Sequence, residues 1–301
     1  MRARGDNSAA AIYQHAAVIK EGTEQYDLSC YVARLGKVDE AFYWLQEAAA
    51  KDGVQTAWAE QDSDLSSLRR DPRWPEVRTY LQKSQEYWAT AAKPVTLIHL
   101  PENYDGQKPL PTLIWLHGTF TSPNFTEGSA SDLPLAAKRM GWAIIAVSGT
   151  IPFGPAKFSW SEDPDRDYRR VVDAIKEVSG RFKLQKDMII PIGFSQGGQV
   201  AIEIAARHPE TFAGAIAFAP ATSAGIQLTK VKPDPELKKR GFFIECGALD
   251  SRLRNAKANI AWLRSTGAQV ATKQYASLGH TPPADLGSQL PEWVNLVANV
   301  K

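Results

Sequence analysis

A serine hydroxyl is a weak nucleophile until a base takes its proton, and the base in turn needs an acid to orient it. Ser195 is the serine whose surroundings meet that need. It stands in Gly193-Phe194-Ser195-Gln196-Gly197, a G-x-S-x-G pattern, behind the apolar residues 188–192 and ahead of the helix formers at 200–207. The pattern reads as a strand running into a helix with Ser195 at the corner. There the nucleophile is held in a strained backbone conformation, and small residues two before and two after let the neighbouring backbone close in. The plainer alternative is a strand-to-helix turn whose Gly and Ser serve backbone geometry alone.

Five histidines compete for the base. His15 belongs to an all-helical region, His99 lies inside a strand pattern, His208 sits at a helix end beside Pro209, and His117 follows the apolar run 112–116, where it braces a loop. His280 remains, in Leu278-Gly279-His280-Thr281, just past the last strand pattern and before Pro282-Pro283. That loop opens at the carboxyl edge of a parallel sheet, where the sites of open α/β sheets lie and where Ser195 emerges. For the acid, Asp250 follows the strand pattern 241–246 after a Gly-Ala-Leu turn, on the same edge. Its rivals are Glu245, inside the strand and read as a structural partner, and Asp285, read as a first-turn helix residue.

An oxyanion hole needs two backbone donors aimed at the developing charge. The N–H of Gln196, directly after the nucleophile, is one. The other is expected from Leu116-His117-Gly118-Thr119-Phe120, where Gly118 allows close approach, with Thr119 as first choice and Phe120 as second. The long loop 149–163 follows a strand at its carboxyl end, where such loops are commonly functional. Its Phe153, Phe158 and Trp160, with Phe120, are placed to wall a substrate pocket; the equal alternative is that they pack the loop onto the body.

These residues need a scaffold. Residues 8–91 lack strand patterning and read as helices at 8–20, 24–35, 38–51, 62–69 and 74–90. From Val95 short apolar runs alternate with helical segments, which predicts a mostly parallel sheet. Strands are expected at 95–100, 112–116, 143–148, 188–194, 214–219, 241–246 and 269–275, and helices near 129–140, 164–179, 196–208, 252–266 and 283–299. The expected division is a small all-α domain at 1–91 and a catalytic α/β domain at 92–301. Residues 26–45, with a Leu35-Gly36 turn and a small Ala41, resemble a tetratricopeptide repeat, and the resemblance extends over about residues 10–80. One repeat cannot bury its own face, so this domain is expected to dock on the other one, on a second subunit or on a protein partner. Its Trp44, Trp58, Trp74 and Trp88 read as packing residues, with a peptide groove as the sharper alternative.

Lys+Arg 35 against Asp+Glu 33 gives a net charge of +2, so nothing points to nucleic acid. The longest apolar stretches are too short for a membrane span. The two cysteines, Cys30 and Cys246, are expected to be free and buried, and the compartment stays undetermined.

Residues 95–301 resemble the α/β-hydrolase superfamily, and within it the phospholipase/carboxylesterase and dienelactone-hydrolase-like esterases. The motifs that carry the resemblance are Leu116-His117-Gly118, Gly193-Phe194-Ser195-Gln196-Gly197-Gly198, Ala217-Phe218-Ala219-Pro220, Cys246-Gly247-Ala248-Leu249-Asp250 and Leu278-Gly279-His280. It implies an α/β-hydrolase sheet with helices on both faces and a Ser195–Asp250–His280 triad in the chain order of that fold. It also implies an acyl-enzyme mechanism with no cofactor and no metal. Relatives often carry a proline shortly after the triad acid, whereas this chain has Ser251-Arg252-Leu253. With no lid-like insertion, small soluble esters are the expected substrates. A thioesterase or peptidase using the same triad, and a repeat-based interaction protein on a silent hydrolase platform, are the competing readings.

Overall fold

In a computed structural model of the chain, the residues described are 7–21, 24–102, 104–124, 130–161, 163–223, 225 and 227–300. The chain divides into two compact units, one of Met1–Lys93 with Ile151–Phe158 and one of Pro94–Thr150 with Ser159–Lys301.

The first unit contains α1 (Asn7–Glu21), α2 (Gln25–Arg34), α3 (Val38–Lys51), α4 (Thr56–Gln61), α5 (Ser66–Arg69) and α6 (Trp74–Ala91). Leu28, Leu45, Leu65, Leu68 and Leu81 meet in its core around the small Ala41 and Ala48. Trp74 is buried there, Trp44 packs against the core and Trp88 donates to the Ala49 carbonyl at 3.1 Å, whereas Trp58 is half-exposed. The helix expected at 62–69 is a 3-10 turn at Ser63–Leu65 followed by α5, and α4 before it was not foreseen. Six residues without a strong apolar stripe carry little periodic signal.

The second unit is built on a seven-stranded sheet: β1 (Thr96–His99), β2 (Leu110–Leu116), β3 (Ala143–Val147), β6 (Leu184–Phe194), β7 (Gly214–Phe218), β8 (Gly241–Gly247) and β9 (Gln269–Tyr275). Between β3 and β6 the two-residue strands β4 (Ile151–Pro152) and β5 (Phe158–Ser159) form a separate ribbon. The sheet order is β1-β3-β2-β6-β7-β8-β9, antiparallel at β1–β3 and parallel elsewhere. Helices α7 (Leu133–Arg139), α8 (Pro164–Ser179), α9 (Gln196–Arg207), α10 (Leu253–Ser265) and α11 (Leu286–Ala298) cover it. Residue 129, where the sequence begins the helix that became α7, lies outside the described residues.

Alternate residues of β2 divide between two cores. Ile114 and Leu116 pack with α8, α9 and α10 on one face, while Leu113 and Trp115 pack with α7 and α11 on the other. A strand buried on both faces reads as a continuous apolar run, which is why these strands are visible in the sequence. A buried polar set ties α9 to α10: Gln199 Nε2 donates to Glu203 Oε1 at 3.1 Å, and Asn259 Nδ2 donates to Gln199 Oε1 at 2.7 Å. Those bonds anchor the helix that follows Ser195.

Candidate active site

β6 delivers Ser195 to the carboxyl edge of the sheet, and α9 begins at the next residue. Ser195 has φ 54° and ψ −120°, a conformation that costs a non-glycine residue roughly 1–3 kcal/mol and persists only where the surroundings enforce it. The enforcement is visible. Ser195 N donates to Phe218 O at 3.0 Å, its carbonyl accepts from Ala221 N at 3.0 Å, and a Cβ on Gly197 would collide with the carbonyl oxygens of Leu116 and His117.

Three side chains converge from three loops. Ser195 Oγ lies 2.8 Å from His280 Nε2, and His280 Nδ1 lies 2.9 Å from Asp250 Oδ2. The Asp250 side chain is buried and the His280 side chain one-third exposed, so the acid is shielded from water while the imidazole is partly open to it. Asp250 Oδ1 accepts the Arg252 N–H at 2.7 Å, a bond that uses a backbone donor in the segment where relatives often carry proline. The two loops are also zipped together, Ala248 N to Tyr275 O at 2.8 Å and Leu249 N to Leu278 O at 2.9 Å. These bonds set the separation of Asp250 and His280.

The loop after β2 lies against the serine: a Cβ on Gly118 would stand 3.5 Å from Ser195 Cβ. His117 holds that loop. Gly149 N donates to His117 Nε2 at 2.9 Å, so Nε2 is the bare nitrogen and Nδ1 carries the proton, which it donates to Gly118 O at 2.6 Å. Burial pushes the His117 imidazolium down to about 4, against the opposing effect of the Gly118 bond, so the ring is neutral at physiological pH. The Thr121 hydroxyl donates to the same Gly118 oxygen at 2.9 Å. In a trans peptide the C=O and the following N–H point opposite ways, so pinning Gly118 O turns the Thr119 N–H away from His117 and Thr121. Of the two residues weighed for this donor, Phe120 gives its N–H to Ser159 Oγ at 2.9 Å. The N–H groups of Thr119 and Gln196 have no hydrogen bond among the described residues, Gln196 because it opens a helix.

Of the residues assigned to a pocket wall, Phe153 and Phe158 are buried and belong to the unit of the helical residues. Trp160 is buried too; it packs in the core with α8 and α9, and its indole N–H donates to His117 O at 2.9 Å. All three are buried, as residues that pack the loop onto the body would be. Phe120 is half-buried with a left-handed φ of 57°, and it keeps a position beside the donors. Phe194, at a variable place in the G-x-S-x-G pattern, sets its ring 5.2 Å from the His280 imidazole. Leu249, beside Asp250, is 70% exposed. A cavity lined by Gln196, Gln199, Glu203, Ala221 and Thr222 offers about 20 Å³, room for about one water.

The other histidines have structural surroundings. His208 stacks on Tyr168 with ring centroids 3.5 Å apart, and His15 meets Trp44 edge-on. Cys30 and Cys246 are free and buried. Cys30, Asp62 and Asp64 approach within 4.8 Å of one another, but Tyr26 and Cys30 hydrogen-bond Asp62, and Arg34 pairs with Asp64. Burial, with Asp62 beside it, pushes the Cys30 thiol up, which opposes the thiolate a metal requires.

A family model described as "Putative esterase" matches residues 88–281. The chain belongs to this esterase family. Over 112 residues the chain is 32% identical to "Putative esterase NocK" of Nocardia uniformis subsp. tsuyamanensis, a match to 36% of this chain and 32% of that protein, so it spans about a third of the relative's length. Among solved structures it is similar to a ferulic acid esterase (TM-score 0.55, 16% identity, 70% of this chain and 94% of that chain). It is similar also to the Bacillus cereus carboxylesterase (TM-score 0.50, 18% identity, 70% and 98%). A protein from Bacillus cereus ATCC 10987 is matched over 98% of this chain and 95% of its own, with TM-score 0.54 and 14% identity. At these identities the structural likeness is one of fold: a mostly parallel α/β-hydrolase sheet, with a helical region ahead of it. Among the described residues no helix is long and apolar enough to cross a membrane.

Proposed function

We propose that this chain is a serine carboxylesterase for small esters, with Ser195 as nucleophile, His280 as base and Asp250 as orienting acid. The observation that carries the reading is the unbroken hydrogen-bond chain from Asp250 Oδ2 through His280 to Ser195 Oγ, on a serine held at positive φ. His280 Nε2 takes the Ser195 proton as Oγ attacks the ester carbonyl. The negative charge then developing on the carbonyl oxygen is met by the N–H groups of Thr119 and Gln196, the latter at the positive end of α9. The imidazolium, steadied by the Asp250 carboxylate, gives its proton to the departing alcohol oxygen. Water, deprotonated by His280, attacks the acyl-Ser195 carbonyl, and collapse of that intermediate frees the acid and returns the proton to Oγ. Phe194 packs on His280, and Phe120 and Leu249 adjoin Thr119 and Asp250 in the chain; these apolar side chains favour an ester with an apolar or aromatic portion. Family membership and fold neighbours that include a carboxylesterase and a ferulic acid esterase support the reaction class.

The test is hydrolysis of p-nitrophenyl acetate and butyrate by the wild type and Ser195→Ala. Turnover should fall by about four orders of magnitude or more. A Ser195→Ala protein hydrolysing these esters at the wild-type rate would refute the assignment.

A further inference from the structure

The two candidate oxyanion donors come from separate loops, and one two-residue segment touches both. Ser159 Oγ accepts the Phe120 N–H at 2.9 Å and is hydrogen-bonded to Thr119 Oγ1 at 2.9 Å. The next residue, Trp160, pairs its main chain with the Gln196 carboxamide in a two-point bond: Trp160 N donates to Gln196 Oε1 at 2.8 Å, and Gln196 Nε2 donates to Trp160 O at 3.0 Å. Its indole N–H also takes the carbonyl of His117, two residues before Thr119.

We infer that Ser159 and the Gln196 carboxamide are positioning residues that set the spacing of the Thr119 and Gln196 N–H groups in the oxyanion hole. The inference rests on the esterase reading above. Its physical basis is strain and satisfaction. Phe120 sits at φ 57°, a conformation that a non-glycine residue leaves readily unless held. The bond to Ser159 holds it, and Ser159 is itself buried, so no solvent replaces its hydroxyl when it is removed. Removing the Ser159 hydroxyl takes away an acceptor of the Phe120 N–H and weakens the hold on the 119–120 segment, whose rotation displaces Thr119. On the other side, Gln196 keeps its backbone N–H in any substitution, so a change of side chain alters the placement of that donor without deleting it. The sequence offered no signal of this link, because Ser159 and Trp160 lie at a distance in the chain from both loops.

The experiment is steady-state hydrolysis of p-nitrophenyl acetate by the wild type, Ser159→Ala, Gln196→Ala, the double variant and Ser159→Thr. Inhibition by phenylboronic acid, which forms a tetrahedral anionic adduct on the serine, is measured alongside, with thermal melting of each protein. A misplaced donor costs less than a deleted one, so kcat should fall roughly ten- to hundredfold in each single alanine variant while KM stays within about threefold. Affinity for the boronic acid should fall in parallel with kcat. Because both side chains act through one segment, the double variant should be no more than about threefold below the weaker single variant. Ser159→Thr, which restores the hydroxyl, should recover most of the loss. If Ser159→Ala melts too low to assay, Gln196→Ala, which is only half-buried, carries the test. A kcat within about twofold of wild type in both alanine variants overturns the inference, as does a loss of kcat with unchanged boronic acid affinity. A wild type that neither hydrolyses the ester nor is labelled at Ser195 by a fluorophosphonate overturns the esterase reading itself, and the inference with it. An active, labelled wild type beside unaltered variants overturns the inference alone.

Discussion

Glu245 is fully buried in β8, next to Cys246 and five residues before Asp250, and neither of its carboxyl oxygens has a hydrogen-bond partner among the described residues. Alternation along β8 puts it on the face of Phe243, which packs with Phe218 and Trp293. Lys273 is its register partner on β9, but that ammonium bonds Gln289 and lies over the Tyr275 ring. Burial, with Asp250 adding like charge and Lys273 only partly opposing it, pushes the Glu245 carboxyl up from 4.5 to about 8. In the unfolded chain this group ionises near 4.5, so between pH 4.5 and 8 the folded state binds more protons than the unfolded one. Stability contributed by this site is therefore greatest below pH 4.5 and is lost as pH rises toward 8. At 1.36 kcal/mol per unit, holding Glu245 protonated at pH 7 costs on the order of 3 kcal/mol. Glu245→Gln keeps the shape and cannot ionise. Its amide donors add a cost of their own, but one independent of pH, so the signature is a slope. Melting temperatures of the two proteins at pH 5, 6, 7 and 8 should diverge in favour of Glu245→Gln by on the order of 1 kcal/mol for each pH unit, a few degrees in a chain of this size. A stability difference that stays constant across that range would refute the argument, because it would mean the buried carboxyl titrates as it does in water.

His117 makes the opposite prediction. Its pKa is lowered to about 4, so the unfolded chain takes up a proton that the folded one refuses, and its contribution is intact above pH 6.5 and lost as pH falls toward 4. Wild type should lose melting temperature faster than His117→Gln between pH 7 and 5; equal slopes would count against the neutral tautomer inferred from the Gly149 and Gly118 bonds. Asp250→Asn preserves the shape of the acid but removes the charge that fixes the His280 tautomer, so kcat on p-nitrophenyl acetate should drop about 10⁴-fold with little change in melting temperature. Activity within tenfold of wild type would move the acid role away from Asp250.

Much of the scaffold is legible in the sequence because its signals are local. Strands 143–147 and 214–218 are short apolar runs sandwiched between helices, and α8 spans Pro164–Ser179 as the pattern predicted. Ser195 was legible for the same reason: the glycines that permit its turn lie within two residues of it. Asp250 and His280 needed one more step, the rule that loops following parallel strands gather at one edge of the sheet.

What the sequence determined by itself was thus the order of elements and the chemistry-bearing residues at strand ends, since periodicity and turn residues act over a few positions. Tertiary structure alone decided the contacts between distant segments. Phe153 and Phe158 follow a strand of the hydrolase sheet yet group with the helical residues of the other unit, and Trp160 turns its indole to a backbone carbonyl. The bonds from Ser159 and Trp160 to the loops of Thr119 and Gln196 join residues about forty positions apart. The isolation of the Glu245 carboxyl is likewise a property of what packs around it. Such facts leave no trace in spacing, because a hydrogen bond across a fold depends on where two backbones meet and not on the residues between them.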